Sequence, residues 1–277
     1  MFDISLTRLH EVTIILYALS VLLYFIDFLH NNRKANKVAF WLLVIVWLLQ
    51  TIFLCLYVVK TGRFPILTLF EGLYFYVWVL ITLSLVINKI LTTDFLVFFT
   101  NVLGFIVMVI HTFAPLKIET HVLAQQLMSE LLSIHITISL LAYGTFTLSF
   151  VFSILYLIQY DLLKRKKWGK RLMRLGDLSK LEKLSYILNV IGVPILFFGL
   201  VLGLQWAYIK LPEVSWFDVK ILGSMVILLC YILVIYVKIR KQVNGKMLAY
   251  WNITCFLIVL INFFLFSGLS NFHYWST

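Results

Sequence analysis

Charge is what this sequence most lacks. Of its 277 residues only 13% are Asp, Glu, Lys or Arg, while 62% are hydrophobic and 17% aromatic. Water-soluble domains run near 45–50% apolar and about a quarter charged, so an ordinary soluble domain is excluded. Cysteine is sparse too. Cys55, Cys230 and Cys255 each lie inside an apolar run, with no CxxC and no CxxCH. That argues against thiol–disulfide chemistry and covalent haem attachment by this chain, and predicts buried, inert thiols. There is no HExxH, no pair of histidines at i, i+4, and no carboxylate–histidine cluster with ligand spacing, so a zinc centre is not expected. Low-complexity tracts are missing, and no small-residue cleavage site follows the first apolar run, so the first helix is expected to be retained.

What fills the chain instead is long apolar runs. A hydrocarbon core about 30 Å thick needs about 20 mostly apolar residues per helix. Eight stretches qualify, at 10–29, 38–59, 66–88, 95–114, 130–158, 184–206, 217–237 and 248–268. Barrel strands are shorter and alternate, and that alternation is absent. The expected fold is all-α: a polytopic integral membrane protein of eight transmembrane helices, the fifth long enough to tilt or project.

The net charge of +11 could suggest nucleic acid, but the cations sit in short loops between spans, and no nucleic-acid partner is expected. One set of loops carries seventeen Lys and Arg, including Lys164-Arg165-Lys166-Lys167; the opposite set carries six. Cytoplasmic loops hold the excess, which places the first set inside and both termini outside, in a bacterial cytoplasmic membrane. Most acids lie toward the outer side. The basic stretch 160–183 has interleaved apolar residues (Leu162, Leu163, Trp168, Leu172), so it reads as an amphipathic helix on the inner leaflet or as a docking site for a cytoplasmic protein.

On this topology five of six histidines fall toward the outer face: His10, His111, His121, His135 and His273, with His30 inside. Imidazole within a span is costly and commonly functional, and it is the usual protein ligand of haem iron. The set fits a haem or metal site at that face; histidines capping helix ends fit it as well.

Three motifs narrow the choice. The expected outer loop between spans six and seven reads Gln205-Trp206-Ala207-Tyr208, then Val214-Ser215-Trp216-Phe217-Asp218-Val219-Lys220. Ser133-Ile134-His135-Ile136 precedes Ala142-Tyr143, and Ser267-Gly268-Leu269-Ser270-Asn271-Phe272-His273 ends the chain's last span. Phe64-Pro65 leads to Phe70-Glu71-Gly72-Leu73-Tyr74-Phe75 and Trp78. Pro65 suits the first turn of a helix, and Glu71 inside a span needs a partner such as Arg63 or Arg8, whether its role is functional or an ion pair.

Together these resemble the haem-handling "WWD" membrane proteins of cytochrome c assembly, the CcmC, CcmF and CcsA families. Asp218 and Lys220 match the W-x-W-D-P-K-E ending, while Phe217, Val219 and Ile221 depart from it. His135 resembles the family histidine before the WWD loop, and His273 the one after it, though three residues beyond Gly-Leu. The Phe64–Trp78 segment resembles the CcsA branch. The resemblance covers roughly residues 60–277, leaving 1–59 as two additional N-terminal helices.

The resemblance implies a haem-binding protein without turnover of its own. Non-covalent haem b would take His135 and His273 as axial ligands to its iron. Trp206, Trp216 and Phe217 would wall the porphyrin, and Lys210 or Lys220 would pair with its propionates; Asp218, Glu71, His10 and His111 complete the candidate set. On the residues alone, Trp206 and Trp216 read equally as interfacial anchors. An eight-helix CcsA-like branch, encoded beside haem-synthesis genes in low-GC Gram-positive bacteria, matches further at Leu6–Glu11 and Asn31–Asn36. It implies an influence on the amount of glutamyl-tRNA reductase in haem homeostasis, or on cytochrome c assembly partners. No histidine lies at mid-membrane, which argues against a transmembrane haem relay. Two other readings stay open: a haem-independent scaffold acting through 160–183, and a transporter of haem or a precursor. The transporter needs broken helices and midplane polar sites, of which Asn189, Gly192 and Pro194 are the nearest approach.

Overall fold

The computed structural model describes residues 4–66, 68–90, 94–113, 129–166, 174, 176–210, 218–241 and 243–269. Among them are eight helices: α1 (Ile4–His30), α2 (Arg33–Thr61), α3 (Leu69–Ile90), α4 (Asp94–Phe113), α5 (Glu130–Lys164), α6 (Leu178–Lys210), α7 (Val219–Ile239) and α8 (Gly245–Leu269). All eight are long and apolar enough to cross a membrane. Each expected span is found. α5 and α6 run beyond the expected 158 and 184 on their shared side, because Tyr160–Lys164 and Leu178–Lys183 continue the helix as polar turns. α3 begins four residues after Pro65, so that proline precedes the helix and does not open it.

The helices group into two units. The first holds Met1–Ala114 with Trp168–Gly176. Within it α1 packs on α2, α2 on α3, α3 on α4, and α4 back on α1, a closed antiparallel four-helix bundle. α2 shows why: Ala35, Ala39, Leu43, Val46, Gln50, Leu54 and Tyr57 are buried at steps of three and four, one helical face. Its other face carries Trp41 and Val59, 66% and 81% exposed, as a lipid-facing surface requires. Cys55 is exposed on that side and only Cys255 is buried, so the thiols are not uniformly interior. Asn32 caps the start of α2 by accepting from Lys34 and Ala35 N–H, and Gly62 (φ 66°) ends it.

Polar rungs fix the register of this bundle. Tyr17 donates to Asn101 Oδ1 (3.0 Å) and Asn101 Nδ2 to Ser84 (3.1 Å), while Trp47 and Trp78 donate to Thr82 and Thr51. At the opposite end from residue 10, Arg174 grips Asp27 through two hydrogen bonds of 2.7 and 2.9 Å, with Asn36 Nδ2 at 2.8 Å. Arg174 is 8% and Asp27 1% exposed, so part of the basic stretch is a buried anchor. Residues 167–173 and 175 lie outside the described residues, and so does the expected amphipathic helix there.

The second unit holds Pro115–Lys167 with Asp177–Thr277. Here α5 packs on α6, α6 on α7, α7 on α8, and α8 on α5. Every residue from Ala142 to Ser149 is buried, which makes α5 the axis of the bundle. Polar groups again occupy the interior. Asn252 Nδ2 faces the hydroxyls of Ser149, Ser153 and Ser185 at 2.8–3.0 Å, and Asn189 Nδ2 donates to Asn252 Oδ1 at 3.0 Å. This cluster is larger than the Asn189 neighbourhood expected from sequence. α6 runs unbroken through Pro194, so the broken helix a transporter would use is not found at that position.

Candidate functional site

In the second unit, Ser129 caps α5 by accepting from Leu132 N–H at 3.2 Å, and His135 follows within two turns. Its Nδ1 lies 2.6 Å from the carbonyl oxygen of Gly199 on α6. A carbonyl only accepts, so Nδ1 carries the proton and Nε2 keeps its lone pair. The contact depends on a missing side chain. A Cβ at Gly203 would stand 2.5 Å from Cε1 and 2.7 Å from Nδ1 of His135, and one at Gly199 would stand 2.8 Å from Ser139 Oγ. The Gly199-x-x-x-Gly203 pair therefore brings α6 against α5 and makes the seat for the imidazole.

The ring borders a cavity of about 80 Å³, below the ~300–1,000 Å³ typical of small-molecule sites. Its walls are apolar, from Ile136 and Leu140 on α5, Leu200 and Leu204 on α6, and Phe263 on α8. Lys220 enters from α7, where Asp218 caps the helix by accepting Lys220 N–H at 2.8 Å. The Lys220 ammonium sits 3.4 Å from Asn262 O and 5.8 Å from the centre of the Phe263 ring. Beneath it Asn262 donates to Tyr143 and Ser224 at 3.2 and 3.1 Å. Ser139 Oγ, also on the wall, is buried with no hydrogen-bond partner among the described residues.

The candidate residues thus separate by unit. His135, Lys220 and Asp218 belong to this cavity or its rim. Trp206 lies in the same unit at 5% exposure, so it is packed inside and is not a lipid-facing anchor; it does not line the cavity. Trp216 and Phe217, with the rest of 211–217, and His121 and His273 lie outside the described residues. His10, His111 and Glu71 belong to the first unit. His10 and His111 meet there with ring centres 5.0 Å apart. Glu71 is held by Arg63, with bonds of 2.8 and 2.9 Å, and by the Tyr57 hydroxyl. Thr68 and Glu71 also exchange hydrogen bonds with each other's backbone N–H, a capping box that starts α3. The hydrogen bond to Glu71, with its charge, holds the Arg63 guanidinium above its ordinary pKa. Arg8, the other candidate partner, pairs with Glu11 at the surface.

Sequence reasoning missed Gly203, Tyr143, Ser224 and Asn262 as parts of the site. Asn262 was visible as a polar residue inside a span, a signal of function or pairing; the glycine's role depends on a neighbouring helix and leaves no local trace.

A protein ligand for haem iron is an imidazole with a free ring nitrogen and its other N–H fixed by an acceptor. His135 meets that description beside apolar walls and the Lys220 cation, so the donor and wall chemistry fits the group, which would need the cavity to widen on binding. Residues 66–273 match the model of the family described as cytochrome c assembly protein. The chain is 57% identical to Protein HemX of Bacillus subtilis (strain 168) over the full length of both, and 44% identical to Protein HemX of Brevibacillus brevis, covering 96% of this chain and 97% of that one. It is 26% identical to the cytochrome c biogenesis protein CcsA of Chlamydomonas reinhardtii over 72% of this chain and 57% of that protein. With the match spanning both ends of the cavity's helices, the chain belongs to the cytochrome c assembly protein family.

Proposed function

We propose that this chain binds haem b non-covalently in the cavity of its second unit, at the outer face of the bacterial cytoplasmic membrane, without turnover of its own. The observation that carries the reading is the His135 Nδ1 contact with Gly199 O at 2.6 Å, which leaves Nε2 as the ligand atom beside the apolar cavity. His273 is the proposed second axial ligand, Trp216 and Phe217 the proposed walls, and Lys220 the propionate partner. Bound haem would supply the iron and its redox chemistry; the residues described here position it, exclude water and balance its charge. Outer placement rests on the loop charges, since cytoplasmic loops carry the Lys and Arg excess.

The test is the absorption spectrum of protein purified with haem supplied during expression. A Soret band present in the unaltered chain and reduced in His135→Ala and His273→Ala supports the assignment. No haem absorbance, and none on titration, ends it.

A second reading concerns what the bound or free state controls. Arg174 anchored on Asp27 holds part of the basic cytoplasmic stretch in a defined place. That favours a surface through which the protein influences a cytoplasmic haem-synthesis enzyme, proposed as glutamyl-tRNA reductase. Cells carrying His135→Ala with unchanged reductase levels would separate this role from haem binding.

A further inference from the structure

In the first unit three ring side chains from three helices converge near the start of α1. His10 comes from α1, Tyr74 from α3 and His111 from α4, and Phe53 of α2 covers them. The ring centres of His10 and His111 are 5.0 Å apart; Tyr74 is 5.8 Å from His10 and 5.5 Å from His111. Phe53 lies 4.7 Å from Tyr74 and 6.2 Å from His10. Tyr74 is 3% exposed. Its hydroxyl and Nδ1 of His10 are buried with no hydrogen-bond partner among the described residues. Thr112 Oγ1 lies 3.4 Å from His10 Nε2, a long contact, and that hydroxyl already donates to Met108 O at 2.8 Å.

Buried polar atoms without partners are rare and call for an explanation. Ring packing alone would be served better by Phe or Leu at these positions, with no desolvation cost. The spacing distinguishes what could sit among them. Two imidazoles on one ion, at metal–nitrogen distances near 2.0–2.1 Å and a tetrahedral angle, hold their ring centres roughly 5 Å apart. A phenolate on the same ion holds its ring roughly 6 Å from each imidazole by the same construction. Two imidazoles on opposite faces of a haem stand roughly 6.5 Å apart, so these two rings are too close to sandwich a porphyrin. The observed triangle matches a shared ion.

We propose that His10, His111 and Tyr74 form a site for one first-row divalent transition-metal ion of the copper or zinc class, in a different unit from the haem cavity. Imidazole nitrogen and phenolate oxygen are the donors such ions accept. Phe53 shields one side. Metal binding removes the proton of Tyr74, and the two neutral imidazoles leave the site with one net positive charge when the ion is divalent. The reading does not depend on the haem assignment, which rests on His135.

The experiment uses the full-length, tag-free chain in nanodiscs, stripped with a chelator and titrated with copper(II). One equivalent should bind, with two-nitrogen superhyperfine structure in the electron paramagnetic resonance spectrum and a phenolate-to-copper charge-transfer band. His10→Gln and His111→Gln, close in size to the native residues, should each weaken binding at least tenfold; Tyr74→Phe should remove the charge-transfer band; His135→Ala should change none of these. Binding unaffected by the His10 and His111 substitutions overturns the proposal. So does a copper spectrum of the unaltered chain with fewer than two nitrogen ligands, a readout that needs no variant to fold.

Discussion

A single methyl group probes the His135 arrangement. Gly203→Ala would place its Cβ 2.5 Å from Cε1 of the imidazole, so the ring must turn away and give up the Gly199 carbonyl. Alanine favours a helix interior over glycine by about 1 kcal/mol, while overpacking typically costs about 1–3 kcal/mol; stability should change little or fall slightly. Haem affinity, by contrast, should drop at least tenfold, because the tautomer is no longer fixed. Titration with haem checks this, and unchanged affinity would show that Gly199 does not orient the ligand. Glu71 offers the opposite case. Its partner Arg63 is 14% exposed, and breaking a buried pair by deleting one member costs about 3–5 kcal/mol. Glu71→Ala should therefore lower thermal stability markedly while the surviving folded fraction binds haem as before. Both residues illustrate what was legible. An acid in a span announces its need for a partner, and sequence narrowed that partner to Arg63 or Arg8; the fold chose Arg63. The glycine announces no such need, because its partner ring sits 68 residues away in sequence.

At the scale of the helix, apolar length alone located all eight elements. The facing ends of α5 and α6, at Lys164 and Leu178, escaped because charged turns carry the helix beyond its apolar run, where hydropathy stops reporting it. The polar cluster inside the second unit escaped for a related reason: Ser149, Ser153, Ser185, Asn189 and Asn252 are scattered over three helices, and only packing collects them. Interhelical hydrogen bonds in membranes average about 0.6 kcal/mol, yet a buried group left unpaired costs about 1–3 kcal/mol. Asn252 serves four neighbours at 2.8–3.0 Å, so Asn252→Leu should destabilise the second unit by about 2 kcal/mol. Thr254 makes a bond only within its own helix, to Tyr250 O at 3.1 Å, among those described, and is exposed. Thr254→Val should be neutral. Equal melting temperatures for the two variants would mean the cluster contributes nothing to holding α5, α6 and α8 together.

For the whole molecule, direction across the membrane carries the functional reading. In the first unit α1 begins, and α4 ends, at the end that holds His10 and His111; in the second α5 begins, and α8 ends, at the end that holds His135 and Lys220. Seventeen cationic residues in the loops at the other ends, against six, support the proposal that those other ends face the cytoplasm. On that proposal the Arg174–Asp27 pair would be a cytoplasmic anchor, and the cavity beside His135 would open toward the outside. Reporter fusions decide the matter. Alkaline phosphatase joined after Thr277 should be active, because it folds only when exported, and the same enzyme joined after Lys241 should be inactive. Reversed activities would turn the cavity toward the cytoplasm. In that orientation His135 would meet haem at the side of its synthesis, and handling at the outer face would no longer be tenable even if the spectrum showed the cofactor bound.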